Sequence, residues 1–419
     1  MLRRLGIVAL CGLVSAALLT PAFAAEEEGF TPLFDGASLE GWDGNPEFWR
    51  VEDGAITGQT TAEKPTNGNT FIIWNRGQLD DFELRLQFRI VGGNSGIQYR
   101  SREVAKWVIA GDQADFDGAN GWTGTLYEEK GRGVLAKRGQ KVEIGEDGAK
   151  KTTGETTAEA DIVSAIKNEE WNEYTIIARG NHLQQFVNGK LTIDVTDHQA
   201  EKRAMSGLLA LQLHAGPPMT VQFKDIRVKR LPLEGKKKVV FVAGRRSHGF
   251  GSHEHKAGSL LLARALNESD AGVLATVYTE GWPTDPTAFD NADAVVMYCD
   301  GGGGHFANSK LKELDALHKR GVGIGSIHYA VETVKGEHGE HFFKWMRGYF
   351  EPHFSVNPHW TAEYKEFPNH PAARGVKPFA INDEWYYHMR FRPELEGVTP
   401  LLSAHPPEST LSRPDGAHS

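Results

Sequence analysis

Between residues 30 and 231 apolar and polar side chains alternate in short runs, among them "FELRLQFRI" (82–90), "EYTIIARG" (173–180), "HLQQFVNG" (182–189) and "GLLALQLHA" (207–215). A period of two places residues i and i+2 on one face of a strand, so each run predicts a strand with one buried side. Turn residues separate the runs, and Asn188-Gly189 is a hairpin signal. Many short strands without a convincing long helix predict an all-β sandwich or jelly roll. Within the run 207–215, Leu211 and Leu213 point one way while Gln212 and His214 share the opposite face. That face is either wet exterior or the floor of a site.

Beyond a polar linker at 232–237 the pattern changes. "KVVFVAG" (238–244) predicts a buried parallel strand and "KAGSLLLARALNES" (256–269) an amphipathic helix. Further strands and helices alternate through "NADAVVMYCDGGGG" (291–304), "SKLKELDALHKRG" (309–321) and "GVGIGSIHYAVE" (321–332), which predicts a doubly wound α/β sheet over 238–419. No strand and packed helix are evident after "VTPLLSA" (398–404), so this second domain is expected to be truncated at its C-terminus.

The first 24 residues carry Arg3 and Arg4, an apolar stretch and an Ala22-Phe23-Ala24 cleavage signal, which predicts a signal peptide and a periplasmic or secreted protein. No other run is long enough to span a bilayer, so no membrane span is expected in the mature protein. The formal net charge of −9, becoming −11 once Arg3 and Arg4 leave, argues against a nucleic-acid partner. Cys11 leaves with the signal, and Cys299 alone cannot form an intrachain disulfide.

Candidate chemistry gathers in two places. In the β half, Gln98 and Arg100 precede a Gly-rich polar stretch, "GDQADFDGANGWTGTLYEEKGRG" (111–133), read as a loop, and Gln212 and His214 follow later. That stretch supplies Gln113, Asp115, Trp122, Tyr127, Glu128 and Arg132. Carboxylates, arginine and amides for hydroxyl pairs, with a flat aromatic face, suit a sugar, although a merely solvated loop has a similar composition. In the α/β half, 14 of the 17 histidines lie after residue 235. His248, His253 and His255 follow the first strand, His305 the Gly-rich turn and His328 a third strand, with Glu332, Glu384 and Tyr386 beyond. Open α/β sheets bind ligands at such strand ends. The spacing matches no strict zinc pattern, so the metal is unknown and a divalent ion is left open. "GIGSIHYA" places His328 where a nucleophile elbow carries Ser or Cys, which argues against covalent acyl chemistry.

Residues 30–231 resemble the 3-keto-disaccharide hydrolase domain family, a concanavalin-like jelly roll, through "LFDGASLEGW", "NSGIQYRS", the 111–133 stretch, "EWNEYTIIARGNHLQQFVNG" and "LQLHAGPPMTVQFKDIRVKRL". Residues 238–419 resemble the trehalose-utilisation (ThuA-like) family, a flavodoxin-like fold related to class I glutamine amidotransferases, through "SHGFGSHEHKAG", "IHYAVE" and "NDEWYYH". The first resemblance implies cleavage of 3-keto-glycosides or 3-keto-disaccharides, by hydrolysis or by C2 deprotonation and 1,2-elimination. The substrate is then an oxidised disaccharide or glycoside. His214 is expected as the base, Arg100 or a metal as the electrophile, and Asp115 or Glu128 as the acid. Gln98, Gln113, Trp122, Tyr127, Arg132 and Gln212 are expected to bind substrate. The alternative is a non-catalytic glycan-binding sandwich attached to a ThuA-like domain.

Overall fold

The computed structural model describes residues 27–413 and 416–417. The signal segment expected over residues 1–24 lies outside the described residues. Among those described, no helix is long and apolar enough to cross a membrane.

The first unit is two β-sheets packed face to face. Seven strands form one sheet: β1 (Trp42–Asp43), β2 (Thr70–Leu79), β3 (Asn94–Ala105), β4 (Val108–Asp117), β5 (Thr125–Glu129), β6 (Gly133–Ala136) and β7 (Gly207–Leu213). They lie in the order β6-β5-β4-β3-β7-β2-β1, every neighbour antiparallel. The other sheet has ten strands, with Phe82–Val91 and Met219–Arg230 near its middle. The stretch 111–133, expected as a loop, is instead two strands and their tight turns. Its alternation was hidden because one of its faces is polar and yet buried.

Side chains of both sheets meet in one core. Ile97, Tyr99, Ala114, Phe116, Leu209, Leu211 and Leu213 come from the seven-stranded sheet, and Leu84, Leu86, Phe88, Tyr174 and Phe223 from the other. Alternation then turns Gln98, Gln113, Asp115 and Gln212 onto the outer face. The hairpin of β3 and β4 bends back over that face: Phe71 N–H donates to Trp107 O at 3.0 Å, and Ile109 packs on Phe71, Ile73 and Ala210.

The second unit is built on four parallel strands, β8 (Lys237–Ala243), β9 (Val273–Tyr278), β10 (Ala294–Tyr298) and β11 (Gly323–Ser326), in the order β9-β8-β10-β11. Three helices accompany them: α1 (His255–Asn267), α2 (Leu311–Lys319) and α3 (Glu337–Met346). The last of these, and a hairpin pairing His359–Tyr364 with Phe379–Glu384, are not among the expected elements. β8 is flanked on one side by the strand that follows it and on the other by β10, so the chain reverses direction of winding there.

Buried ions join the two units. Arg230, the last residue of a sandwich strand, reaches Asp285 at 2.9 Å and Asp80 at 3.2 Å. Lys238 of β8 also pairs with Asp80, and Asn291 donates to it at 3.1 Å.

Candidate functional site

On the outer face of the seven-stranded sheet, residues opposite one another fall into rows. Gln98 lies opposite Gln113, and Gln113 opposite Tyr127; one step along, Gly96 lies opposite Asp115. Gln98 Nε2 donates to Gln113 Oε1 at 2.7 Å, and Gln212 Nε2 donates to the same oxygen at 3.0 Å. Ser101 Oγ donates to Gln98 Oε1 at 2.7 Å. The relay stops at Gln212, whose Oε1 is buried without a partner. A buried amide oxygen left open costs about 1–3 kcal/mol, which a ligand hydroxyl can recover by donating to it.

Gly96 lies opposite Asp115, and the side chain of Gln113 packs directly over it. A Cβ on Gly96 would stand 2.5 Å from Cγ and Cδ of Gln113, so any larger residue displaces the relay. Asp115 is 5% exposed, and Asn94 Nδ2 donates to its Oδ1 at 3.1 Å. Burial, above all, pushes its carboxyl up to about 7, and the nearby Asp117 adds to the rise. Asp117 in turn accepts from the Gly121 and Trp122 amides at 3.1 and 2.8 Å, which fixes the turn presenting Trp122. The Trp122 ring is 45% exposed and stands edge-on to Tyr127, 6.5 Å between centroids. His214 lies one residue beyond the end of β7, half-buried, with Nδ1 2.5 Å from Ala215 O. Gln98, Gln113, Asp115, Tyr127 and Gln212 therefore share one face of the sheet, joined by Asn94, which sequence reasoning missed. Trp122 stands in the turn beside Tyr127, and His214 just past the end of β7.

Three expected members lie elsewhere. Arg100 shares parity with Gln98, but the ladder slips between Tyr99 and Arg102 and Arg100 takes a φ of 47°. Its guanidinium is buried against Asp81 at 2.7 Å and the carbonyls of Asp80 and Gly180. Three of its five N–H groups are committed there and its side chain is 1% exposed, so it does not face a ketone oxygen on the outer face. Glu128 alternates with Tyr127 and so faces inward with Leu126, where it pairs with Arg132; Arg132 also binds Asp197 at 2.8 Å. These two form a structural network beside Asp112, whose carboxyl burial pushes up to about 7 with help from Glu128.

In the second unit, histidines from separate loops converge at the carboxyl ends of β8, β10 and β11. Asp300 Oδ1 has His248 Nδ1 at 3.5 Å, His253 Nδ1 at 3.6 Å and His255 Nε2 at 3.7 Å. On the other edge of His253, Nε2 lies 3.2 Å from His328 Nε2, which is 3.3 Å from Glu384 Oε2. Two ligand triads thus share His253: one with His248 and Asp300, one with His328 and Glu384. His253 and His328 hold φ values of 48° and 53°, left-handed backbone that non-glycine residues adopt at a cost of order 1–3 kcal/mol. A cavity of about 720 Å³ opens here, bordered by His253, His328, Glu332, Glu384 and Tyr386. Burial first, and then Glu384, raises the Glu332 carboxyl to about 7. His305, expected in this pocket, is not part of it. Its Nδ1 accepts from Ala307 N–H, its Nε2 faces Ala330 O at 3.0 Å, and burial lowers its pKa to about 4. Asp300 is the central residue that sequence reasoning passed over, although it stands in the quoted run 291–304.

Residues 29–229 match the family model of the 3-keto-alpha-glucoside-1,2-lyase-like domain, and residues 238–416 match that of trehalose utilisation, in this order. The first match places the sandwich among carbohydrate-active domains. No curated protein matches the chain. Solved structures similar to the sandwich include a presumptive glycosyl hydrolase from Parabacteroides distasonis (19% identity, TM-score 0.33), covering 48% of this chain and 99% of that one. The carbohydrate-binding module CBM66 from Bacillus subtilis is 16% identical with TM-score 0.31, covering 45% and 95%. A Crh5 transglycosylase in complex with NAG is 12% identical with TM-score 0.30, covering 48% and 84%.

Proposed function

We propose that this chain, a 3-keto-alpha-glucoside-1,2-lyase-like domain followed by a trehalose-utilisation domain, is an exported enzyme that cleaves 3-keto-glycosides on the outer face of its sandwich. The observation that carries the reading is a protonatable Asp115 with an open Gln212 acceptor on the same face of the sheet.

A ketone at C3 acidifies the C2 proton. His214 removes that proton, the C2–H electron pair becomes the C1=C2 double bond, and the C1–O bond breaks with its electrons leaving on oxygen. Asp115, buried and held near neutrality, protonates the departing oxygen. Addition of water across C1=C2, hydroxyl to C1 and proton to C2, makes the overall change a hydrolysis. The amide nitrogens of Asn94 and Gln212 each donate one bond in the structure and retain a second N–H for the ketone oxygen. This chemistry needs no paired carboxylates of the ordinary glycosidase kind. The exposed Trp122 face supplies stacking for the sugar ring.

The test is release of the leaving group from a 3-keto-glucoside by the full chain, by His214→Ala and by Asp115→Asn, with the unoxidised glucoside as control. Release by wild type alone, absent with the control, supports the reading. Binding of the keto-glucoside without turnover by any of the three proteins replaces it with the glycan-binding alternative.

A further inference from the structure

We propose that the second unit holds one zinc-class divalent ion between His253, His328 and Glu384, with an open coordination position facing the cavity beside them. The inference is independent of the chemistry assigned to the sandwich. The three ligands come from distant stretches of chain: the loop after β8, the turn after β11 and the end of the hairpin strand Phe379–Glu384. The two histidines stand at the carboxyl ends of parallel strands, where open α/β sheets take their ligands.

His253 Nε2 and His328 Nε2 face each other at 3.2 Å, and His328 Nε2 stands 3.3 Å from Glu384 Oε2. One ligand atom from each of the three residues lies within 4.8 Å of the other two. Spokes of about 2.0–2.1 Å to one ion give a tetrahedron with edges of roughly 3.3–3.4 Å, so the separations through His328 are those of ligands on a common centre.

The surroundings turn the same atoms toward that centre. His253 Nδ1 is buried without a hydrogen-bond partner and faces the Asp300 carboxylate at 3.6 Å. A ring hydrogen on that side points at the carboxylate and leaves the lone pair on Nε2, which makes Asp300 an outer partner of the ion. Asn357 Nδ2 donates to Glu384 Oε1 at 2.7 Å and so holds Oε2 toward His328. The Tyr386 ring lies against the His328 imidazole, 5.2 Å between centroids. The triad of His248, His253 and Asp300 is less available, because Ser247 Oγ bonds His248 Nδ1 at 2.7 Å and donates to Asp300 Oδ1 at 2.8 Å.

Two imidazoles and one carboxylate select a borderline transition metal over calcium or magnesium, which take oxygen ligands. Three protein ligands leave a further position for water or a ligand oxygen, as catalytic zinc sites do. The cavity of about 720 Å³ borders all three ligands and gives that oxygen donor room.

The experiment strips the untagged full-length protein with a chelator, reloads it with zinc, and measures metal content and affinity by competition with a chromogenic chelator. Wild type and His248→Ala are expected to retain one ion per chain with equal affinity. His328→Ala and Glu384→Ala are expected to bind at least about a hundredfold more weakly, since disturbing even an outer partner costs about 10–100-fold. No retained ion in wild type overturns the proposal and leaves a hydrogen-bonded chain of His253, His328 and Glu384 in its place. Unchanged affinity in folded His328→Ala and Glu384→Ala overturns it as well. So does loss in His248→Ala with retention in Glu384→Ala, by moving the ion to Asp300. Should the ligand variants fail to fold, wild type decides through labelling of its histidines with diethyl pyrocarbonate, mapped by mass spectrometry. Reduced labelling of His328 on zinc loading supports the site, and unchanged labelling rejects it.

Discussion

Arg230 and Asp285 form an ion pair at 2.9 Å across the seam between the sandwich and the α/β unit, with side chains 2% and 0% exposed. Arg230 ends a strand of one unit, while Asp285 precedes β10 of the other and also accepts from the Tyr278 hydroxyl at 2.6 Å. Asp80 completes the arrangement by binding Arg230 and Lys238, so two carboxylates and two cations neutralise one another away from water. Such a set adds little net stability compared with apolar packing, but removing one member strands a buried charge.

Asp285→Ala is therefore expected to cost about 3–5 kcal/mol. Urea unfolding followed by tryptophan fluorescence and far-UV dichroism should show the α/β transition moving to lower denaturant and separating from that of the sandwich. A single unshifted transition would show that the seam does not couple the units.

Stability should fall between pH 5 and pH 8. Asp112 and Asp115 have folded pKa values near 7, above the unfolded carboxylate value of about 3.8. Between those values the folded state binds more protons, so their contribution is fully present in acid and is lost as pH rises through about 7. The upper bound is about 4 kcal/mol for each carboxyl. Asp80 works in the opposite sense. Its pKa is lowered by Lys238 and Arg230 against the opposing effect of burial, so its contribution is present above the unfolded value and lost in stronger acid. Thermal midpoints across this range check the slope, and Asp112→Asn should flatten it.

Period-two alternation made the sandwich legible, because a sheet with one wet and one dry face prints its pattern directly on the sequence. It also placed Gln212 correctly relative to Leu211 and Leu213. Arg100 escaped it: parity puts Arg100 beside Gln98, and only the bulge, with its left-handed φ, turns the side chain into the sandwich. Glu128 was legible and overlooked, since its two-residue spacing from the apolar Leu126 already points it inward. The convergence of His248, His253, His255 and His328 followed from their positions after strands, whereas His305 depends on a local turn whose capping geometry no spacing reveals.

Arg100→Met should act on stability and not on substrate affinity. It leaves Asp81, 3% exposed in its side chain, without its cation, at an expected cost of about 3–5 kcal/mol. Measured well below its melting temperature, the folded variant should keep the wild-type KM for a 3-keto-glucoside. A large rise in KM would return Arg100 to the substrate.

Asp115→Asn should lower kcat by about 10²–10⁴-fold, the usual contribution of a positioned acid or base. Asparagine keeps the shape and still accepts from Asn94, so KM should change little. Wild-type kcat should fall above pH 7, as the fraction of protonated Asp115 declines, and that limb should be missing from the residual rate of the variant. A wild-type profile flat from pH 6 to pH 9, on a scale set by the about 7 of this carboxyl, would exclude Asp115 as the acid.

Gly96→Ala disturbs the glutamine relay without touching the acid or the base. The added methyl would stand 2.5 Å from Gln113 Cγ and Cδ, closer than real contacts allow. Gln113 must then swing away, breaking its bonds from Gln98 and Gln212, while Asp115 and His214 remain in sequence and in register. Losing two buried hydrogen bonds costs about 1–3 kcal/mol in all. The sandwich should therefore still fold, with a slightly lower melting temperature. Binding should suffer more, because the displaced Gln113 no longer holds Gln212, and its open acceptor loses its alignment. The expected result is at least about a tenfold loss of affinity for a 3-keto-glucoside, equivalent to 1.4 kcal/mol, read by quenching of Trp122 fluorescence. The double variant Gly96→Ala, Gln113→Ala makes room for the methyl, so a partial return of affinity would trace the loss to the displaced Gln113. No loss in the single variant would place the sugar elsewhere on the sheet.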